Sequence, residues 1–149
     1  MRWIWFDMDG TIADLYAVNG WLDDLIAENT RPYRDAEMLY NADDLNNIIR
    51  ALKRKGYNVG VVSWSSKKAT PEYTNRITLE KMAWLKRNNL NFDKVIVTNY
   101  GVRKADTCRS FGSGVLVDDE EQNRSAWDIG ATIDATKNIL DELKKLLDR

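Results

Sequence analysis

Histidine is missing from all 149 residues. Its absence removes Ser-His-Asp triads, Cys-His pairs, His-ligated metals and imidazole general bases together, and leaves acid–base work to carboxylates, lysine, tyrosine or a bound metal. The single cysteine, Cys108, allows no intrachain disulfide and no thiol cluster for zinc or an iron–sulfur centre, which suits a reducing compartment. It is expected to pack as a small apolar core residue. No apolar run approaches the roughly 20 residues that span a bilayer, and the N-terminus lacks the basic-then-apolar layout of a secretory signal, so a cytoplasmic protein with no membrane partner is expected. A net charge of -1 gives no large positive field for a phosphate polymer, and nucleic acid is not required as a partner. With no repeat, low-complexity tract or linker, the expectation is one domain over residues 1–149 with one core.

What is present is a regular alternation. Arg2 to Asp7 is a short apolar run ending in an acidic, glycine-containing turn, and 57–63, 94–98, 114–118 and, more weakly, 130–134 follow the same style. Between them lie segments with helical spacing: Leu45, Ile48, Ile49 and Leu52; Ile77, Met82, Trp84 and Leu85; and Ile139, Leu140, Leu143, Leu146 and Leu147. Thr70-Pro71 reads as an N-cap followed by proline at the first helical position. Shorter helices are expected at 105–111 and 120–128. The pattern predicts an α/β fold, a Rossmann-like three-layer α/β/α arrangement with a mostly parallel sheet of about five strands and a minimal cap. Residues 18–44 leave room for about one helix and a loop, within a small flap or cap insertion at about 12–44.

Ligands of such sheets bind beyond the carboxyl ends of the strands, where strand order reverses. Those ends carry polar residues here: Asp7 and Asp9 after the first, Ser63 after the second, Lys104 beyond the third, Asp118 and Asp119 after the fourth. Asp7 and Asp9 are two apart, so in an extended segment they face one pocket at a separation of roughly 7 Å. One carboxylate is placed to attack phosphorus and the other to protonate the leaving oxygen and later deprotonate water. Asp7 is the expected nucleophile and Asp9 the acid/base. Anions gathered in this way need a hard cation, and Mg2+ suits oxygen ligands, with Asp118 the better placed of the second pair. Lys104, the Ser63 hydroxyl and main-chain N–H groups around Gly10 and Trp64 are the expected phosphate cradle.

Asp7-Met-Asp-Gly-Thr11, then Ser63, Lys104 and Val117-Asp-Asp119, in that order over residues 2–134, resemble the four motifs of the haloacid dehalogenase superfamily. The resemblance implies a first strand at the centre of the sheet, a flap just after Thr11, and Mg2+ held by Asp7, the main-chain oxygen of Asp9, and Asp118, with Asp119 beside them. Aspartate at both places filled by Asp7 and Asp9 implies a phosphatase, an enzyme of the phosphoric monoester hydrolase kind, in preference to a dehalogenase. The stretches Ser63-Trp-Ser-Ser and Glu80-Lys-Met-Ala-Trp-Leu85 look like small deoxyribonucleotidase-type members. This points to a small phosphorylated substrate such as a nucleoside 5′-monophosphate, with a macromolecular phosphatase acting on a nucleic-acid end or a phosphoprotein as the nearest rival.

Competing readings exist for each residue. The acidic pairs also suit turns and helix caps. Glu120 and Glu121 are assigned to the N-cap and first turn of the helix that follows, Arg103, Lys67 and Lys68 to surface charge, while Lys94 begins a strand and belongs at the far end of the sheet. Trp64, Trp21, Tyr16 and Tyr33 are core residues or a stacking platform for a base. A receiver domain that stores a phosphoryl group uses similar parts, but there the acidic pair follows the first strand; here it follows the fourth. A non-catalytic phosphate-binding module has no need of an acid/base at position 9.

Overall fold

The computed structural model describes residues 2–149. Five strands form one sheet, β1 Arg2–Phe6, β2 Tyr57–Trp64, β3 Lys94–Thr98, β4 Gly114–Asp118 and β5 Thr132–Asp134, in the order β3-β2-β1-β4-β5. Every pairing is parallel. The apolar runs read as strands in the sequence are these five, because a parallel sheet is covered on both faces and its inner strands are apolar on both sides; the edge strand β5 buries only Ile133.

One face, with Ile4, Phe6, Val59, Val61 and Val117, packs against α3 Ala42–Arg54, α4 Pro71–Arg87 and α7 Ile139–Leu147. The other face, with Trp5, Val62 and Leu116, is covered by α5 Lys104–Cys108 and Trp127, beyond α6 Glu121–Ser125. This makes the three layers. Cys108 is buried there, and burial pushes its thiol up to about 12, so it is an inert packing residue.

The helix stripes place themselves as their spacing dictates. Leu45, Ile49 and Leu52 of α3 and Ile139 and Leu143 of α7 are wholly buried. Thr70 caps α4, its hydroxyl accepting from the Tyr73 N–H at 3.2 Å, with Pro71 at the first helical position. Three expectations differ. Met82 is 48% exposed, and the buried stripe of α4 runs instead through Tyr73, Ile77, Lys81, Trp84 and Leu85, with an amine in its middle. Residues 18–44 hold two short helices, α1 Trp21–Ile26 and α2 Arg31–Asp35, followed by the start of α3; α1 buries no residue, so no apolar stripe announces it. The segments 105–111 and 120–128 are each cut short, the first ending in a 3-10 turn at Arg109–Phe111 and the second closing at Ser125.

Chain progress from β1 through β2 to β3 and back to β4 reverses direction beside β1. Phe6 is in register with both Val61 and Val117, so Asp7 emerges between the ends of β2 and β4. The Asp7 N–H still donates to the Val117 carbonyl at 2.8 Å. This is the crevice where such sheets bind ligands.

Candidate active site

The turn after β1 is wound on the Met8 carbonyl, which accepts from the N–H groups of Thr11, Ile12 and Ala13 at 3.2, 3.0 and 3.0 Å. Gly10 has φ +81, and its N–H donates to the Ala13 carbonyl at 2.8 Å. A Cβ at Gly10 would lie 2.6 Å from Asp119 Oδ2, so glycine serves both the left-handed backbone and the close approach of that carboxylate.

Four carboxylates and two buried ammonium groups meet at this edge. Lys104 Nζ donates to Asp7 Oδ1 at 2.8 Å and Asp118 Oδ2 at 2.7 Å. Asp118 is wholly buried and also accepts from the Asn123 amide at 3.1 Å and the Glu120 N–H at 2.9 Å. Thr11 Oγ1 lies 3.1 Å from Asp7 Oδ2 and 3.2 Å from Asp119 Oδ1, one hydroxyl proton between two carboxylates. Asp9 faces the second cation: Lys81 Nζ donates to Asp9 Oδ2 at 2.8 Å, to Ser63 Oγ at 2.7 Å and to the Trp64 carbonyl at 3.0 Å.

The electrostatics follow from these contacts. Burial alone would raise the Asp7 carboxyl, but the Lys104 charge and hydrogen bond hold it below the usual carboxylate range, ionised as a nucleophile must be. Burial holds Asp9 above that range against the pull of Lys81, as suits a group that gives and takes a proton. Asp119 is pushed up to about 8, first by burial, then by its hydrogen bond to Asp7 and the charges of Asp7 and Asp118. Burial would lower the Lys104 ammonium, yet its two carboxylate partners hold it well above its ordinary range.

Oxygens of Asp7, Asp118 and Asp119 lie within 4.8 Å of one another, an all-oxygen donor set that fits a hard divalent ion such as Mg2+. The Asp9 side chain is outside that triad, held by Lys81. Ser63 is wholly buried and faces Lys81, while Ser65 and Ser66 of the following loop line the cleft. Lys94 sits at the opposite edge of the sheet, its ammonium 5.0 Å above the Phe111 ring. Arg103 reaches the Ala126 carbonyl on the surface.

Above Asp7, Asp9 and Lys104 opens a cleft of about 450 Å3. Two aromatic pairs border it, Tyr16 with Trp21 at 5.0 Å between ring centroids and Trp64 with Tyr100 at 4.9 Å. Tyr33 lines it too, although otherwise buried, as do Leu22, Leu25 and Ile26 of α1, with Lys67 and Lys68 opposite. Tyr100 and Glu120 line the cleft without being singled out for it by their sequence context; Glu120 is at the same time the N-cap residue of α6, as expected.

The amine missed by motif reasoning is Lys81. Its signal was in the sequence: it is the charged member of an otherwise apolar 73, 77, 81, 84, 85 stripe.

The fold and the site define the class: a doubly covered parallel α/β sheet with an Asp-rich, lysine-neutralised crevice at its switch point. No protein-family profile matches the chain. No curated protein matches it in sequence. In three dimensions it is similar to the D,D-heptose 1,7-bisphosphate phosphatase from Burkholderia thailandensis, with a TM-score of 0.61 and 12% identity over 100% of both chains. It is also similar to a chain of the Pnkp1/Rnl/Hen1 RNA repair complex, with a TM-score of 0.62 and 15% identity, covering 89% of this chain and 42% of that one. The chain thus shares the fold of these two neighbours, a parallel α/β sheet in the order β3-β2-β1-β4-β5. Among the described residues no helix is long and apolar enough to cross a membrane.

Proposed function

We propose that the protein is a magnesium-dependent phosphomonoester hydrolase that works through an aspartyl-phosphate on Asp7. The observation that carries this reading is the Asp7 carboxyl at the cleft floor, with Lys104 on one oxygen and Asp118 and Asp119 beside it. Asp7, Asp118 and Asp119 would hold the ion, with the main-chain oxygen of Asp9 a further ligand. When bound it supplies charge neutralisation of the phosphoryl oxygens.

The chemistry then runs on the chain's own groups. An Asp7 carboxylate oxygen bonds to phosphorus, the ester P–O bond breaks, and the leaving oxygen keeps the electron pair and takes the proton of Asp9. In the second half Asp9 takes a proton from water, the water oxygen bonds to phosphorus, and the acyl-phosphate P–O bond breaks to return the Asp7 carboxylate. Lys104 holds Asp7 in line and balances charge on the transferring group. Thr11 orients Asp7 and lets Asp119 approach. The Ser63 hydroxyl, whose oxygen accepts from Lys81, retains its hydrogen for donation, and the Trp64 main chain completes the cradle.

The aromatic walls and the lysines of the rim support a small substrate with a planar ring, a nucleoside 5′-monophosphate. Stacking on Trp64, Tyr100 or Tyr16 would hold the base. A second reading, a phosphatase of nucleic-acid ends, is favoured by the exposure of Tyr100 and Tyr16 at the mouth, which leaves room for a longer chain.

The deciding experiment is phosphate release with Mg2+ from nucleotides, sugar phosphates, phosphopeptides and end-phosphorylated oligonucleotides. Many equivalents per protein are expected from the wild type and none from Asp7→Asn. A single equivalent would instead mark a phosphoryl-storing module, and none a binding module; steady turnover by Asp7→Asn would overturn the nucleophile.

A further inference from the structure

Lys81 belongs to none of the motif positions, yet its ammonium is fully buried at the catalytic edge of the sheet. An ammonium has three N–H donors and no acceptor. All three are spent inside the chain, on Asp9 Oδ2, Ser63 Oγ and the Trp64 carbonyl, at 2.8, 2.7 and 3.0 Å. The Tyr33 ring lies 4.9 Å from the same nitrogen and closes its remaining side.

This arrangement is a poor way to gain stability. Lys81 occupies the core-facing stripe of α4 between Ile77 and Trp84, where a leucine would pack without any desolvation cost. A buried ion pair is often no better than an apolar replacement of similar volume. Its reason therefore lies in what it holds. Lys81 pins one oxygen of Asp9 to the end of β2, which is the rigid central part of the sheet. The other oxygen, Oδ1, has no hydrogen-bond partner among the described residues and is left for the leaving group and water.

Resting on the acid/base reading of Asp9, we propose that Lys81 is a positioning residue for that carboxyl: a third charged member of the machinery, beyond the four motifs, that sets the direction in which Asp9 delivers its proton. It touches no substrate atom. Its effect passes through Asp9 and, by fixing Ser63 as an acceptor, through the orientation of the Ser63 hydroxyl.

The consequence is selective. Proton delivery matters for an ester whose leaving oxygen is strongly basic and hardly matters for one that departs readily as an anion. Benzyl phosphate and 4-nitrophenyl phosphate offer both cases with a similar ring for the cleft. With Mg2+ saturating, Lys81→Met is expected to lower kcat/KM for benzyl phosphate by at least about tenfold more than for 4-nitrophenyl phosphate, within the range of about 10²–10⁴ that general acid catalysis contributes. Asp9→Asn is expected to show the same leaving-group bias, and the double variant no further bias, because both act through one group. Lys81→Gln, which keeps an amide donor for the same acceptors, provides the comparison if the methionine variant does not fold, and is read by the same ratio.

Equal losses on the two esters in a folded variant, or no loss, overturn the positioning role while leaving the phosphatase reading intact. Absence of turnover of either ester by the wild-type protein overturns both. A bias present in Asp9→Asn and absent from the Lys81 variants overturns only the assignment of Lys81.

Discussion

A divalent ion at Asp7, Asp118 and Asp119 has to displace a proton, and this makes its binding pH-dependent in a calculable way. Burial and the neighbouring carboxylates push Asp119 up to about 8, so in the metal-free protein it is largely protonated at neutral pH, while in the unfolded chain it ionises near 3.8. A folded-state value above the unfolded one stabilises fully below the lower value and loses that contribution as pH rises toward the higher. Metal-free stability is therefore expected to fall between about pH 4 and pH 8, with a limiting slope of about 1.4 kcal/mol per pH unit for one proton, and a shallower slope here because Asp119 is partly open to solvent. Mg2+ binding replaces the proton with the ion, so the apparent Kd is expected to drop up to about tenfold per pH unit below pH 8 and to level off above it. Between pH 6 and pH 8 that amounts to at most about 100-fold. Titration calorimetry at pH 6, 7 and 8, in two buffers of different ionisation enthalpy, reads affinity and protons released together. Asp119→Asn is expected to flatten the pH dependence. Affinity that does not change across this range, with no proton released, would refute both the shared-proton arrangement and the site.

Gly10→Ala adds a Cβ 2.6 Å from Asp119 Oδ2 and forces a side chain into φ +81. A loss of about 1–2 kcal/mol from the backbone alone is expected, read as a lower midpoint in thermal unfolding, together with weaker Mg2+ activation as Asp119 is pushed away. Trp64→Ala removes half of the Trp64–Tyr100 pair and the wall beside it. For a nucleotide substrate the loss is expected at about 1–3 kcal/mol in kcat/KM, while a phosphate ester without a ring changes little; equal effects on both would argue against stacking.

The parts of this fold legible in the sequence were those that burial dictates. A strand covered on both faces is an apolar run, so β1 to β4 could be read directly, and the polar residue ending each run marked the edge where Asp7, Ser63 and Asp118 emerge. Long amphipathic helices such as α3 and α7 were legible for the same reason. The short helices α1 and α2 were not, since α1 buries nothing and α2 buries only Pro32 and Tyr33. Which member of Ser63-Trp-Ser-Ser faces the cleft depends on where β2 ends and how its loop turns, and spacing carries no information on that. Lys81 is hidden by the opposite effect: helix periodicity is legible in apolar residues, Met82 lies one position from the inward site yet is exposed, and the amine that fills that site carries no apolar signal.

The placement of the two buried lysines follows from charge balance. In the form that can deliver a proton Asp9 is neutral, and with Asp119 protonated as well the metal-free edge is balanced, Asp7 and Asp118 against Lys81 and Lys104. Binding a divalent ion with loss of the Asp119 proton gives the set one net positive charge. A phosphomonoester dianion then meets no net repulsion at the floor, and Lys67 and Lys68 at the rim match its own two charges. Without Lys81 the loaded site would only be neutral, and the dianion would lose one balancing charge in a buried region where screening is weak. The charge of the amine on α4 falls beside Asp9, the carboxyl that it also holds, since Lys104 is already committed to Asp7 and Asp118.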